Sequence, residues 1–266
     1  MRNDKGRQHM YRISNFTDND DVRVIAQEGA FQVIEYQRDL SVTPSSAITA
    51  YYSAQMNVRK RQLICNLAEA PVTIQAGAMQ WMLGDVNATT GIKSVGDFLG
   101  KAVRGKATGE SAIKPEYTGN GILVLEPTYK HLILMSTAEW GGGVVLDDGL
   151  FLACESTLQH KAVMRSNFSS ALAGGEGLFN LSLNGNGVFC IESDCPKDEL
   201  IEITLQNDVL KIDGNYAIAW SRSLEFTVER SGKSLIGSAA SGEGLVNVYR
   251  GTGKVLMMPT AKMPNV

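Results

Sequence analysis

Three pairs of glycines spaced as Gly-x-Gly recur at one fixed interval along the chain, at Gly119/Gly121, Gly185/Gly187 and Gly251/Gly253. A glycine is required where the backbone takes positive φ or leaves no room for a Cβ, so the recurrence puts one constrained backbone feature, read as a tight turn, at the same point of three similar segments. A second landmark travels with it. Gly109-Glu110, Gly175-Glu176 and Gly242-Glu243 precede the pairs by nearly the same distance, with a one-residue deletion in the last. Asp148-Gly149 and Asp213-Gly214, separated by almost the same interval, read as hairpin turns.

Between these landmarks the apolar residues alternate with period two, the pattern of a pleated strand with one buried face. Leu224, Phe226 and Val228 point one way and Glu225, Thr227 and Glu229 the other, while Ile122 to Leu125 is an unbroken apolar run that reads as buried on both faces. Short strands with closely spaced turns imply a sandwich or barrel. The expected fold class is therefore all-β: three tandem sandwich-like or barrel-like repeats of about 66 residues around a pseudo-threefold axis, with one short covering helix. The repeats span 62–127, 128–193 and 194–259 within one domain, 62–266. Residues 22–61 form an N-terminal extension with strands, and residues 1–21 read as a disordered or vector-derived head.

The covering helix is expected from about Ser94 to Arg104, where Val95, Phe98, Leu99, Ala102 and Val103 make one apolar face. Ser94 with Asp97 resembles a capping box and Gly105 a stop. Gly96 and Gly100 weaken the helix, so packing must hold it. The simpler reading is a lid that completes the core. A pocket beneath it would be lined by Met79, Trp81, Phe98 and Leu99.

No constellation rises to a named chemistry. Glu110, Glu176 and Glu243 are equivalent carboxylates that an internal axis could gather around a hard cation, although a glutamate beside glycine more often accepts backbone N–H bonds in a turn. Arg165 and Arg230 are in register to pair with them. His9, His131 and His160 share no short spacing with Cys or Asp, no Gly-x-Ser-x-Gly elbow occurs, and no glycine pair is followed by Gly-Lys-Ser/Thr. No enzyme activity, cofactor or metal is expected.

Net charge is −3 and the one dense basic cluster is Arg59-Lys60-Arg61, so a nucleic-acid partner is not expected and the cluster reads as a solvated turn or strand edge. Cys65, Cys154, Cys190 and Cys195 lack Cys-x-x-Cys spacing and read as reduced, small hydrophobes. With no signal peptide and no apolar run long enough to span a bilayer, a bacterial cytoplasmic protein is expected.

The Gly-Glu-Gly-Leu-Phe-Asn and Gly-Glu-Gly-Leu-Val-Asn motifs, the Gly-x-Gly pairs, Gln75-Ala76-Gly77-Ala78-Met79 and Thr108-Gly109-Glu110-Ser111 together resemble the mitochondrial biogenesis family named for altered inheritance of mitochondria, over roughly residues 62–260. The resemblance implies a triplicated β-fold akin to the tryptophan RNA-binding attenuator protein. It implies little chemistry: mitochondrial members are associated with inner-membrane organisation. The expected function is a non-enzymatic scaffold that associates with itself through sheet edges, with an unidentified protein partner or a peripheral membrane contact compatible with it. The alternative is a small-ligand-binding β module with its pocket under residues 94–104.

Overall fold

The computed structural model describes residues 11–39, 41–90, 114–164, 179–230 and 245–260. The period-two stretches become strands: β1 (Val22–Glu28), β2 (Phe31–Tyr36), β3 (Arg61–Asn66), β4 (Val72–Ile74), β5 (Met79–Thr89), β6 (Glu116–Leu125), β7 (His131–Ser136) and β8 (Gly143–Leu146). There follow β9 (Phe151–Glu155), β10 (Gln159–Met164), β11 (Phe179–Asn184), β12 (Val188–Ser193), β13 (Ile201–Asp213), β14 (Ala217–Ser221), β15 (Glu225–Arg230) and β16 (Leu245–Met257). Among the described residues one α-helix, α1 (Ala47–Gln55), joins β2 to β3. The protein is thus predominantly β, as its alternation requires.

The strands make two curled, wholly antiparallel sheets. The first runs β1-β2-β3-β6-β4-β9-β12-β7 with β5 also on β6; the second runs β10-β11-β8-β14-β16-β13 with β15 also on β16. Apolar faces of the first sheet close over Leu63, Val72, Ile74, Leu123 and Leu134, and those of the second share Val144, Leu146, Leu181 and Leu183 with Phe189 and Ile191 of the first. The run Leu123 to Leu125 is fully buried, because β6 lies between neighbours on both sides within a core.

The Gly-x-Gly pairs are not turns. Gly119 and Gly121 lie inside β6, Gly251 and Gly253 inside β16, and Gly185 and Gly187 between β11 and β12. The first and third pairs mark bends within long strands, and the second marks the bend at which the chain passes from β11 in the second sheet to β12 in the first. The two glycines have different reasons to be there. The first of each pair has positive φ, +123° at Gly119, +119° at Gly185 and +116° at Gly251. The second has ordinary φ but no space: a Cβ would lie 2.2 Å from Leu83 O at Gly121, 2.7 Å from Thr157 Oγ1 at Gly187 and 2.7 Å from Ser221 Cβ at Gly253.

The Asp-Gly signals are turns, with φ of +76° at Gly149 and +69° at Gly214, but neither closes a hairpin. β8 and β9 belong to different sheets, and β13 and β14 are both paired to β16 rather than to each other. The local turn chemistry is as expected. The long strand inserted between the flanking strands comes from far along the chain, which a local signal does not encode.

The helix expected at 94–104 lies outside the described residues. The N-terminal extension carries β1 and β2 and, beside them, α1. Its face carries no apolar stripe toward the core; Ile48, Tyr51 and Tyr52 are exposed. The helix is specified at its ends. Ser46 Oγ accepts from Thr43 N at 3.1 Å. Asn57, at φ +63°, ends the helix with Asn57 N donating to Ala54 O at 3.2 Å and Val58 N to Ser53 O at 2.9 Å. Residues 11–21, within the segment set aside as a head, contribute Phe16, whose ring centroid lies 5.4 Å from that of Trp81.

Cys65, Cys154 and Cys190 are buried and Cys195 is half-buried, none in a disulfide. Burial pushes the Cys154 thiol up to about 12 and those of Cys65 and Cys190 well above the ordinary range. Brief iodoacetamide treatment of the native protein should therefore alkylate Cys195 ahead of the other three, read by peptide mass spectrometry. Labelling of Cys65 at an equal rate would contradict the packing.

Candidate functional site

Two seams join the strands contributed by successive segments of the chain. At the first, β4 pairs with β9 in the register Val72↔Glu155, Thr73↔Cys154 and Ile74↔Ala153. At the second, β8 pairs with β14 as Val144↔Ser221, Val145↔Trp220 and Leu146↔Ala219. The partner stretches 153–155 and 219–221 are separated by the same interval as the glycine pairs. One register is used twice.

Two further stretches occupy the corresponding stations without facing each other. In β9, Ala153 pairs with Cys190 and Cys154 with Phe189; in β5, Trp81 pairs with Val124 and Met82 with Leu123, one full interval earlier on the long strand. In β8, Leu146 pairs with Leu181; in β13, Ile212 pairs with Asn247, one full interval later. Yet β5 pairs only with β6 and β13 only with β16 among the described residues. Apolar side chains sit along these edges: Met79 and Met82 on β5 are 38% and 45% exposed, and Val209 on β13 is 46% exposed. An unpaired edge offers a row of N–H and C=O groups to another strand.

Of the residues singled out from sequence, Met79 and Trp81 fall on β5. Trp81 packs beside Val22, Ile34, Ile64 and Val124 with Phe16 against it. Phe98, Leu99, Glu110, Glu176 and Glu243 lie outside the described residues, as does Arg165. His131 and His160 are on different sheets, and partial burial lowers the pKa of His131. Among the described residues no group of three or more His, Cys, Asp or Glu side chains is placed to hold a metal ion, and no helix is long and apolar enough to cross a membrane.

The basic cluster is not a solvated edge. Arg61 is 1% exposed, and its guanidinium meets Glu35 Oε2 at 2.7 Å. It also donates to Asn57 O at 3.1 Å and Asn57 Oδ1 at 2.9 Å, tying the end of α1 to β3. Arg59 reaches Glu35 Oε1 at 3.1 Å. Burial raises the Glu35 carboxyl; the two guanidiniums and a bond from Gln37 outweigh it, and the net pKa is lowered. No local pattern foretells this, because the partners Glu35 and Arg61 meet only when β2 pairs with β3. Glu155 was missed for the same reason: its carboxylate accepts from Ala30 N at 3.1 Å and from Val188 N at 3.0 Å, pinning the β1–β2 turn to the start of β12.

The chain matches the family described as mitochondrial biogenesis AIM24 over residues 52–260. It is 31% identical to an uncharacterised protein of Streptococcus pyogenes serotype M6 over 192 residues, 69% of this chain and 75% of that protein. The crystal structure of a Streptococcus pyogenes protein shares 26% identity with a TM-score of 0.56, covering 77% of this chain and 90% of that one. With most of its length inside that match and its motifs in place, the chain belongs to the mitochondrial biogenesis AIM24 family.

Proposed function

We propose that this protein is a non-enzymatic assembly protein whose three segments follow a pseudo-threefold plan, and that copies associate head to tail through the open edges of β5 and β13. The observation that carries the reading is the twice-used seam register whose third instance is unpaired among the described residues. Extending that register pairs Trp81 with Ile212, Met82 with Lys211 and Leu83 with Leu210. Joining β5 of one copy to β13 of the next is a heterologous contact, which builds a ring if the rotation closes and a filament if it does not. Main-chain hydrogen bonds would supply affinity and the exposed methionine and valine side chains apolar burial.

The test mixes two single variants, Met82→Cys and Lys211→Cys, each also carrying Cys195→Ser, under mild oxidation. Opposed residues of an antiparallel pair have Cβ atoms about 5 Å apart, near disulfide reach. The expected result is a mixed disulfide dimer, with light scattering of the unmodified protein at tens of micromolar giving a mass above one chain. A strictly monomeric particle, or the absence of a mixed disulfide between the two single variants while a double variant carrying both substitutions cross-links within its own chain, would dispose of the reading.

A further inference from the structure

A second feature is independent of the seam. A cleft of about 440 Å³ opens on the second sheet, on the face opposite Leu146, Leu181 and Leu183, and its size lies in the usual range for small-molecule sites. Strand register fills it in rows. Gln159 stands opposite Asn184, Lys161 opposite Ser182 and Val163 opposite Asn180 across β10 and β11. The rows continue onto β8 and β14, where Ser182 faces Val145 and Val145 faces Trp220. Val145, Trp220, Leu224 and Phe226 make an apolar wall on one side.

The polar side has two properties that structure alone does not explain. First, Asn180 is 4% exposed and its Oδ1 accepts no hydrogen bond, although a buried polar atom without a partner is costly. Second, the lining contains Lys161 and Arg222 and no carboxylate, and among the described residues no acid pairs with either. The cations do not stand apart. Gly143 has no side chain, and a Cβ there would lie 3.3 Å from Arg222 Cβ and Cδ; the Arg222 stem crosses over it, and the guanidinium reaches Asn184 Oδ1 at 2.7 Å on β11. That brings it to within one diagonal step of Ser182 and its neighbour Lys161.

We propose that this cleft binds a polyol or sugar phosphate. Two cations over β10 and β11 hold the phosphate, since guanidinium and ammonium groups make strong charge-assisted bonds to its oxygens. A ligand hydroxyl donates to Asn180 Oδ1. Ser182, Gln159 and Asn184 are placed for the remaining hydroxyls, and the Val145–Trp220 wall takes the carbon skeleton. The same chemistry occurs in a free metabolite and in a lipid headgroup.

Inositol monophosphate, titrated by isothermal calorimetry with inositol as the uncharged control, tests the soluble source. Co-sedimentation with phosphatidylcholine vesicles, with and without phosphatidylinositol, tests the lipid source. Saturable binding of either phosphate form, at least tenfold weaker in the exposed-site double variant Lys161→Met/Arg222→Met, is the expected result; which arm responds identifies the source. Asn180→Leu removes an acceptor that has no partner, so it should weaken binding while leaving the melting temperature equal or higher. The proposal is overturned if neither form binds more tightly than its uncharged control, or if the double variant binds as well as the unmodified protein. The double variant alone decides should Asn180→Leu fail to fold. Neither variant touches β5 or β13, so loss of this site would leave the oligomer unchanged.

Discussion

Replacing Gly119 by alanine should destabilise the protein by about 3 kcal/mol or more, a sum of backbone strain and forced close contact. The φ of +123° excludes ordinary L-residues, and a Cβ would stand 2.1 Å from Asp85 O, a backbone atom that cannot move without breaking the β5–β6 ladder. The other first-position glycines share the conformation and differ in space. A Cβ on Gly185 would lie 3.2 Å from Thr157 O, and one on Gly251 would meet nothing nearer than 3.8 Å. The loss should therefore fall in the order Gly119→Ala, Gly185→Ala, Gly251→Ala. The reason is visible in the partner strand: β5 runs unbroken past Gly119, whereas at the equivalent points the chain turns between β9 and β10 and between β14 and β15. Gly141, at φ +70° with nothing within 4 Å, is the reference; alanine there should lose only about 1 kcal/mol. Urea denaturation of the four variants decides, and equal losses at Gly119 and Gly141 would refute the crowding argument.

Arg61→Met should lose about 3–5 kcal/mol, the usual result of removing one member of a buried ion pair. Glu35 would be left buried with Arg59 alone, and the end of α1 would lose its two bonds to the guanidinium. Adding Glu35→Gln to Arg61→Met should recover part of the loss, since it removes the uncompensated charge. The pH dependence carries a sign. The folded-state carboxyl of Glu35 lies below its usual 4.5, so its stabilisation is complete above that value and disappears as pH falls through the lowered one. Acid unfolding of Arg61→Met should accordingly show a flatter slope below about pH 5 than the unmodified protein. An unchanged slope would mean that the pair does not govern Glu35.

How much of this was legible in the chain depended on the distance between the residues involved. Period-two alternation around Leu224 to Glu229 marked β15 and its faces, and the apolar run at Ile122 marked the buried half of β6, because both are properties of neighbouring residues. The glycine pairs were visible, but their role was not: a turn and a mid-strand bend need the same residue. Helix α1 escaped because its determinants, the Thr43–Ser46 bond and the Asn57 end, are at its termini rather than in an apolar stripe. Arg59-Lys60-Arg61 looked like surface because charge is local and burial is not. The cleft was wholly hidden, being assembled from β8, β10, β11, β14 and β15, strands that come together only in the sheet.

The sequence by itself determined that the chain is β, where its strands alternate, and that one pattern returns at a constant interval, since these follow from side-chain period and backbone freedom along the chain. The tertiary structure decided which strands pair across the seams, that among the described residues β5 pairs only with β6 and β13 only with β16, that Arg61 is buried against Glu35, and that Arg222 crosses Gly143 to reach Asn184. Those outcomes rest on contacts between residues tens of positions apart, and antiparallel pairing energies depend on the partner presented rather than on anything written in either strand alone.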